Sequence, residues 1–352
     1  MRNSAVDWRD EPPLPIFALV TRGLEGVASR EMESLLGLHV QAAAYRRLAC
    51  TYSGDLSALL GLRTVDDVFI TLAEWTGIGH ERRFLSEFSD WSQSLPIANV
   101  LPTLTRLRSL CQPPVFSVTA NFVGKRNYSV PQIKTAIAEG VSRQVPAWQY
   151  TADDGEADLN IRVFIEHQQA LVGLRVGQAP LYRRAYKQAH IPGSLKPTVA
   201  AAMVHLAGVQ PGDVMVDPFC GGGTILIEAE ITGAKIIGGD LDADVLDSAV
   251  NNRQAAAIPA SVLCWDTRSL PLKSAAVDRV ITNMPWGRQV QVDEGLKNFY
   301  RQSLAEMQRV VRPSGIIVIL TTYPELLAES PASATEISLF GQNPHILTYP
   351  VR

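Results

Sequence analysis

A chain of 352 residues, 46% apolar and 19% charged, is long enough for two or three domains with sizeable cores. Its formal net charge of −3 excludes nucleic-acid binding through bulk charge, so any such binding must come from local basic patches. The four cysteines (Cys50, Cys111, Cys220 and Cys264) form no CxxC pair and the six histidines stand at no ligand spacing, which speaks against a disulfide framework and leaves no metal expected.

In chain order, the pattern predicts a strand over 16–20, a helix over 25–36, short strands over 40–44 and 47–52, a helix over 56–62 and an apolar strand over 67–73. A strand over 115–121, a helix over 131–144 and a strand pair over 158–166 and 170–176 follow. From about residue 195 the pattern becomes strict alternation. A helix over 197–207 precedes a strand over 214–217, a glycine-rich loop and a helix over 224–232, with Gly233 as its C-cap. A strand over 235–240, a helix over 243–256, strands over 262–265 and 277–283, a helix over 294–311 and a strand over 316–322 complete it. Such alternation implies an α/β, mostly parallel sheet with helices on both faces, whose ligands bind at the C-terminal strand ends.

Between Asp90 and Glu139, and again between Glu166 and Asp213, there is no acidic residue. Arg106, Arg108, Lys125, Arg126 and Lys134 fall in the first window; Arg175, Arg183, Arg184, Lys187 and Lys196 fall in the second. Either window alone is compatible with ordinary solvated cations; two in a net-acidic chain suggest a positive face. No run approaches the ~20 apolar residues of a membrane span. The N-terminus, with Asp7, Asp10 and Glu11, is no signal peptide. A soluble, cytoplasmic protein without membrane contact is expected.

Asp217-Pro-Phe-Cys-Gly-Gly-Gly-Thr224 joins a buried strand to a helix. Gly221 and Gly223 allow close backbone approach to a ligand, and the helix start behind them suits a carboxylate. Asp217 at the strand tip can accept hydrogen bonds from an ammonium. The next strand ends at Asp240, followed by Leu241, where a carboxylate can take both ribose hydroxyls. Trp265 and Asp266 follow the third strand, placed to flank an adenine. Phe219, Cys220 and Thr224 complete a pocket suited to S-adenosylmethionine. A dinucleotide loop would be GxGxxG, which this is not. Taken singly, Asp240 could be a helix N-cap, Asp266 a turn residue and Cys220 a small apolar filler.

Thr282-Asn283-Met284-Pro285-Trp286-Gly287 ends the fourth strand of the alternation. A guanine N2 is a poor nucleophile because its lone pair is delocalised. The Asn283 side-chain oxygen and the Met284 carbonyl can bind its two N–H groups, with Pro285 fixing the turn and Trp286 stacking on a flipped base. Asn283 would also border the cofactor. A plain loop with Trp286 packed on the core is the alternative.

These residues, together with Arg22-Gly-Leu-Glu25, the stretch from Phe116 to Tyr128, Leu181-Tyr-Arg-Arg-Ala-Tyr186 and the run from His190 to Ala202, resemble the THUMP-domain methyltransferases with a Rossmann-fold catalytic domain. The resemblance covers nearly the whole chain. It implies a ferredoxin-like α+β domain over 1–88, a THUMP RNA-binding domain over 89–177, a linker over 178–194 and a methyltransferase domain over 195–352. It further implies S-adenosylmethionine as cofactor and a monomer that binds the 3′ CCA end and acceptor stem of tRNA through Lys125, Arg126, Arg183, Arg184 and Lys187. The nearest likeness within the family is to the enzymes that form N2-methylguanosine at position 6. Methylation of 23S rRNA guanine-N2 or of tRNA guanine 10 are alternatives. Met284 departs from the second proline that many amino-methyltransferases carry. An RNA-binding module with a dead catalytic domain would lack Asp217, Asp240 or Asn283, and all three are present.

Overall fold

The computed structural model describes residues 13–189, 191, 193–258, 262–286, 294–327 and 329–351. His190 and Gly287 therefore lie outside the described residues. The chain divides into two compact units. One takes the chain up to Leu19, Glu31–Leu62 and Asp66–Leu181; the other takes Val20–Arg30, Arg63–Val65 and the chain from Tyr182 onward.

The elements of the first region are β1 (Leu14–Leu19), α1 (Glu25–Leu36), β2 (Ala42–Ala44), β3 (Arg47–Tyr52), α2 (Leu56–Leu59), β4 (Asp67–Thr76), α3 (Phe84–Ser92), α4 (Ile97–Leu107), β5 (Val115–Phe122), α5 (Val130–Gln144), β6 (Gln149–Tyr150), β7 (Leu159–Glu166) and β8 (Gln169–Arg175). The eight strands form one sheet in the order β2-β3-β1-β4-β8-β7-β5-β6. Ser129 and Gln132 cap α5 reciprocally, with a proline in its first turn. Phe17 of β1 stacks on Phe69 of β4 at 4.9 Å between ring centroids. Gly173 of β8 makes room for that pair, since a Cβ there would fall 2.4 Å from the Phe17 ring.

The second unit contains α6 (Pro197–Leu206), β9 (Val214–Asp217), α7 (Thr224–Glu230), β10 (Lys235–Asp240), α8 (Ala243–Ala255), β11 (Val262–Cys264), β12 (Val277–Asn283), α9 (Glu294–Val310), β13 (Val311–Thr321), β14 (Ser333–Glu336) and β15 (His345–Pro350). The strand order is β11-β10-β9-β12-β13-β15-β14. Strands β9 to β13 pair in parallel, and β15 alone runs antiparallel, inserted between β13 and β14. The core beneath this sheet holds Val280, Met284, Tyr300, Met307 and Ile317. The expected mostly parallel α/β sheet is thus present, with two further strands at its C-terminal edge.

The Arg22-Gly-Leu-Glu turn also belongs to this unit. Gly23 has φ +93°, and a Cβ there would sit 2.0 Å from the carbonyl oxygen of Glu336. Ser338 N–H donates to the Arg22 carbonyl at 3.1 Å, and Arg22 pairs with Glu336 at 3.3 Å. Glycine is required here by both conformation and close approach. Among the described residues no helix is long and apolar enough to cross a membrane.

Candidate active site

The chain leaves β9 toward β10 on one side of the sheet, while β12 flanks β9 on the other, so a crevice opens at the C-terminal ends of these strands. A cavity of about 560 Å³ occupies it. Of the expected site residues, Asp217, Phe219, Cys220, Gly221, Thr224, Asp240, Asn283, Met284, Pro285 and Trp286 all line it. The structure therefore brings the glycine loop and the Asn-Met-Pro-Trp strip to one space.

Asp217 is buried at the tip of β9. Its Oδ1 accepts from the Thr282 hydroxyl at 2.6 Å and from Phe219 N–H at 3.2 Å. Burial outweighs these bonds and, with the Asp240 charge nearby, raises its carboxyl to about 7. The Thr282 bond ties the tip of β9 to the residue preceding Asn283. Asp240 binds the glycine loop, its Oδ2 accepting from Gly221 N–H at 3.1 Å and its Oδ1 from Asp242 N–H at 3.2 Å. Gly221 has φ +48°, with an ideal Cβ only 3.3 Å from Ile191, so the loop can lie close to a ligand only without a side chain. Gly223 (φ +75°) serves as the N-cap of α7, behind the cavity wall. A buried acid at the floor and a bare backbone cradle beside it fit the ammonium and carboxylate of an amino-acid-bearing cofactor. Cys220 is buried and its thiol is pushed up by that burial, which suits a filler rather than a nucleophile.

The acceptor strip is anchored from behind. Met284 N–H donates to the Leu320 carbonyl at 3.1 Å, and its side chain is wholly buried in the core. The Tyr300 hydroxyl reaches both the Pro285 carbonyl (2.7 Å) and the Thr321 hydroxyl (2.9 Å). The Trp286 indole N–H donates to the Asn283 Oδ1 at 2.6 Å. One lone pair of the amide oxygen is thereby taken and the side chain oriented, while an amide oxygen retains a second lone pair for an incoming N–H.

Several expected site residues lie elsewhere. Trp265 is 5% exposed, part of the sheet core, and its indole N–H donates to the Pro218 carbonyl at 3.1 Å. β11 ends one residue before it, and Gly239 leaves the space the ring fills; a Cβ there would be 2.4 Å from the indole. Trp265 thus supports the loop from beneath instead of flanking the cavity. Asp266 caps the short 3-10 turn Thr267–Ser269 and pairs with Arg268 at 2.6 Å. Leu241 is exposed and does not line the cavity.

Among the expected RNA contacts, Lys125 is exposed, but Arg126 donates to the Gly79 carbonyl at 2.9 Å and also to that of His167. Arg184 pairs with the buried Glu228 at 3.4 Å and donates to the Arg63 carbonyl at 2.9 Å. The Lys187 ammonium donates to the Leu195 carbonyl, and burial lowers its pKa to about 8. Arg183 remains exposed. Local backbone capping therefore engages three of the five cations, a use that charge patterning does not distinguish from RNA contact.

The far cavity wall has no sequence signal that periodicity carries. It comes from Ile191, Gly193, Ser194 and Leu195, and from Phe340 and Gln342 in the turn before β15. Asn252, fully buried in α8, clasps this wall. Its amide accepts from Ala189 N–H at 2.7 Å and donates to the Gly222 carbonyl at 2.9 Å, so one side chain holds the segment before residue 191 against the glycine loop. Asn252→Ala is expected to weaken S-adenosylhomocysteine binding about tenfold and to lower stability by about 2 kcal/mol, since it removes the side-chain bonds to three backbone groups, the Ala189 N–H and the carbonyls of Ala189 and Gly222. Isothermal titration and a denaturant melt check both; unchanged affinity would mean the clasp does not shape the cavity.

Residues 184–337 match the family described as RMKL-like, methyltransferase domain. A protein of Thermus thermophilus named tRNA (guanine(6)-N2)-methyltransferase is 33% identical over 221 residues, which cover 60% of this chain and 63% of that protein. A Bos taurus protein named tRNA (guanine(6)-N(2))-methyltransferase THUMP3 is 29% identical over 231 residues, 61% of this chain and 45% of its own length. The chain thus spans less than two thirds of these relatives. The crystal structure of TrmN from Thermus thermophilus superposes with a TM-score of 0.78 at 25% identity, over 96% of this chain and 100% of that one. The strand order, the glycine loop and the match over residues 184–337 agree on a methyltransferase domain of class I fold in this part of the chain.

Proposed function

We propose that the protein is an S-adenosylmethionine-dependent tRNA (guanine-N2-)-methyltransferase that forms N2-methylguanosine at position 6 of the acceptor stem. The observation that carries this reading is the Asn283–Trp286 strip, joined through Thr282 to the buried Asp217. The names of the relatives from Thermus thermophilus and Bos taurus support tRNA and position 6. Residues 89–177 would form the THUMP module that holds the 3′ CCA end, and the protein would act as a monomer.

The bound cofactor supplies an electrophilic methyl on a sulfonium. Asp217 takes the ammonium of its amino-acid part, the Gly221–Gly222 backbone borders its carboxylate, and Asp240 receives the ribose hydroxyls. The target guanine, flipped from the stem, offers its amino group to the Asn283 Oδ1 and to a backbone carbonyl of the strip. The Met284 carbonyl, next to Asn283 in the strip, is the second acceptor, and the bond from the Tyr300 hydroxyl to the Pro285 carbonyl steadies the turn behind it. Two acceptors in the plane of the amino group localise the N2 lone pair and hold it in line with the methyl, and such positioning accounts for most of the rate. Trp286 keeps the amide oxygen aimed and offers its ring to the base.

Incubation with labelled S-adenosylmethionine and either unmodified tRNA transcripts or 23S rRNA fragments tests the substrate. Label is expected in tRNA alone. Label in rRNA alone would overturn the tRNA reading in favour of the rRNA alternative.

A further inference from the structure

A second cavity, of about 780 Å³, adjoins the first and shares Ile191, Gly193, Ser194 and Phe340 with it. Its remaining wall carries four cations, Arg183, Arg184, Lys187 and Lys196, together with Tyr182, and no carboxylate stands among its described lining residues. The acid behind this wall is Glu228, which accepts from Arg63 at 2.8 Å as well as facing Arg184 at 3.4 Å. Glu228 is shared between Arg63 and Arg184, and the described lining of the cavity itself offers cations without a carboxylate. Lys196 reaches Thr21 at 3.3 Å and lies 5.4 Å from the Tyr182 ring centre; the Arg183 guanidinium lies 6.0 Å from the same ring on an exposed side chain.

Phe340 forms the lip between the two cavities. It is 64% exposed although large and apolar. Its φ is +51° and that of the following Gly341 is +73°, in a two-residue turn closed by reciprocal bonds between Leu339 and Gln342 at 2.9 and 3.0 Å. Consecutive left-handed residues favour asparagine or aspartate followed by glycine; a phenylalanine there is disfavoured. Burial does not explain the ring, and the turn does not want it. Strain of this kind concentrates where a side chain meets a ligand.

The geometry points to a subsite for the nucleotide that neighbours the target in the RNA strand. This inference rests on the RNA reading above. The phosphate of that nucleotide is drawn to the cations of the second cavity, with Arg183 the most accessible of them. Phe340 stacks on a base at the lip and steers the target into the first cavity. Aromatic stacking beside a basic groove is how proteins hold a single strand displaced from its partner.

Phe340→Gly, Phe340→Trp and Arg183→Ala test the subsite, using unmodified tRNA transcript and labelled S-adenosylmethionine. Phe340→Gly is expected to melt at or above the wild-type temperature, because glycine suits the turn, yet to lose at least about tenfold in kcat/KM for RNA. Phe340→Trp should keep most of that activity. Arg183→Ala should raise KM for RNA and reduce the slope of log KM against log salt by about one, with S-adenosylhomocysteine affinity unchanged. Wild-type activity in Phe340→Gly, or an unchanged salt slope in Arg183→Ala, would overturn the subsite alone. A wild-type protein inert on every RNA would overturn the reading it rests on as well.

Discussion

Asn283→Ala is expected to lower kcat for methyl transfer by roughly 10³-fold while S-adenosylhomocysteine binds within a few-fold of wild type. Removing the amide takes away one of two acceptors that hold the nucleophile. The strip itself should keep its shape, because Met284 N–H remains bonded to Leu320 and Pro285 remains held by Tyr300. The variant also frees the Trp286 indole, so Trp286→Phe is the informative companion: it removes the 2.6 Å bond to Asn283 but keeps the ring and the amide. Single-turnover rates with saturating cofactor separate the two, and a loss below tenfold in Asn283→Ala would show that the amide oxygen does not hold the amino group.

The second large effect concerns Asp217. Its carboxyl is raised to about 7, chiefly by burial, from an ordinary value near 3.8. In the free protein it therefore carries a proton below pH 7, whereas the ammonium of the cofactor requires the ionised form. Affinity for S-adenosylhomocysteine should be about tenfold weaker at pH 6 than at pH 8. Asp217→Asn should bind about 100-fold more weakly at pH 8 and lose this pH dependence. The same shift acts on folding with a definite sign. The folded pKa lies above the unfolded one, so the stability it contributes is fully present below pH 4 and is lost as pH rises through 7, where cofactor binding offsets the loss. A pH-independent affinity in the wild type would remove Asp217 from the ammonium site.

The elements that carry the candidate site were legible in the sequence because they are local. Strands Val214–Asp217, Lys235–Asp240 and Val277–Asn283 stand residue for residue where the alternation puts them. Short apolar runs ending in an acid or amide before glycine or proline are strong stop signals. Helix α4 escaped notice because Pro96 stands at its N-cap and Pro102 interrupts its pattern. In α4 the buried face of Ile97, Val100 and Leu104 outweighs the backbone bond that Pro102 removes. The far wall of the cavity was illegible for a different reason. It depends on Asn252 reaching Ala189, 63 residues away, and on a turn near residue 340 meeting the segment before α6. Trp265 shows the limit of strand-end arguments: a strand one residue shorter turns the indole under the loop instead of into the pocket.

Nuclease digestion and mass spectrometry of a tRNA transcript methylated by the wild-type protein test the central claim most directly. A single N2-methylguanosine at position 6 is the predicted product. A methyl group on an adenine amino group, which the same pair of acceptors could also hold, or on a guanine outside the acceptor stem, would contradict it.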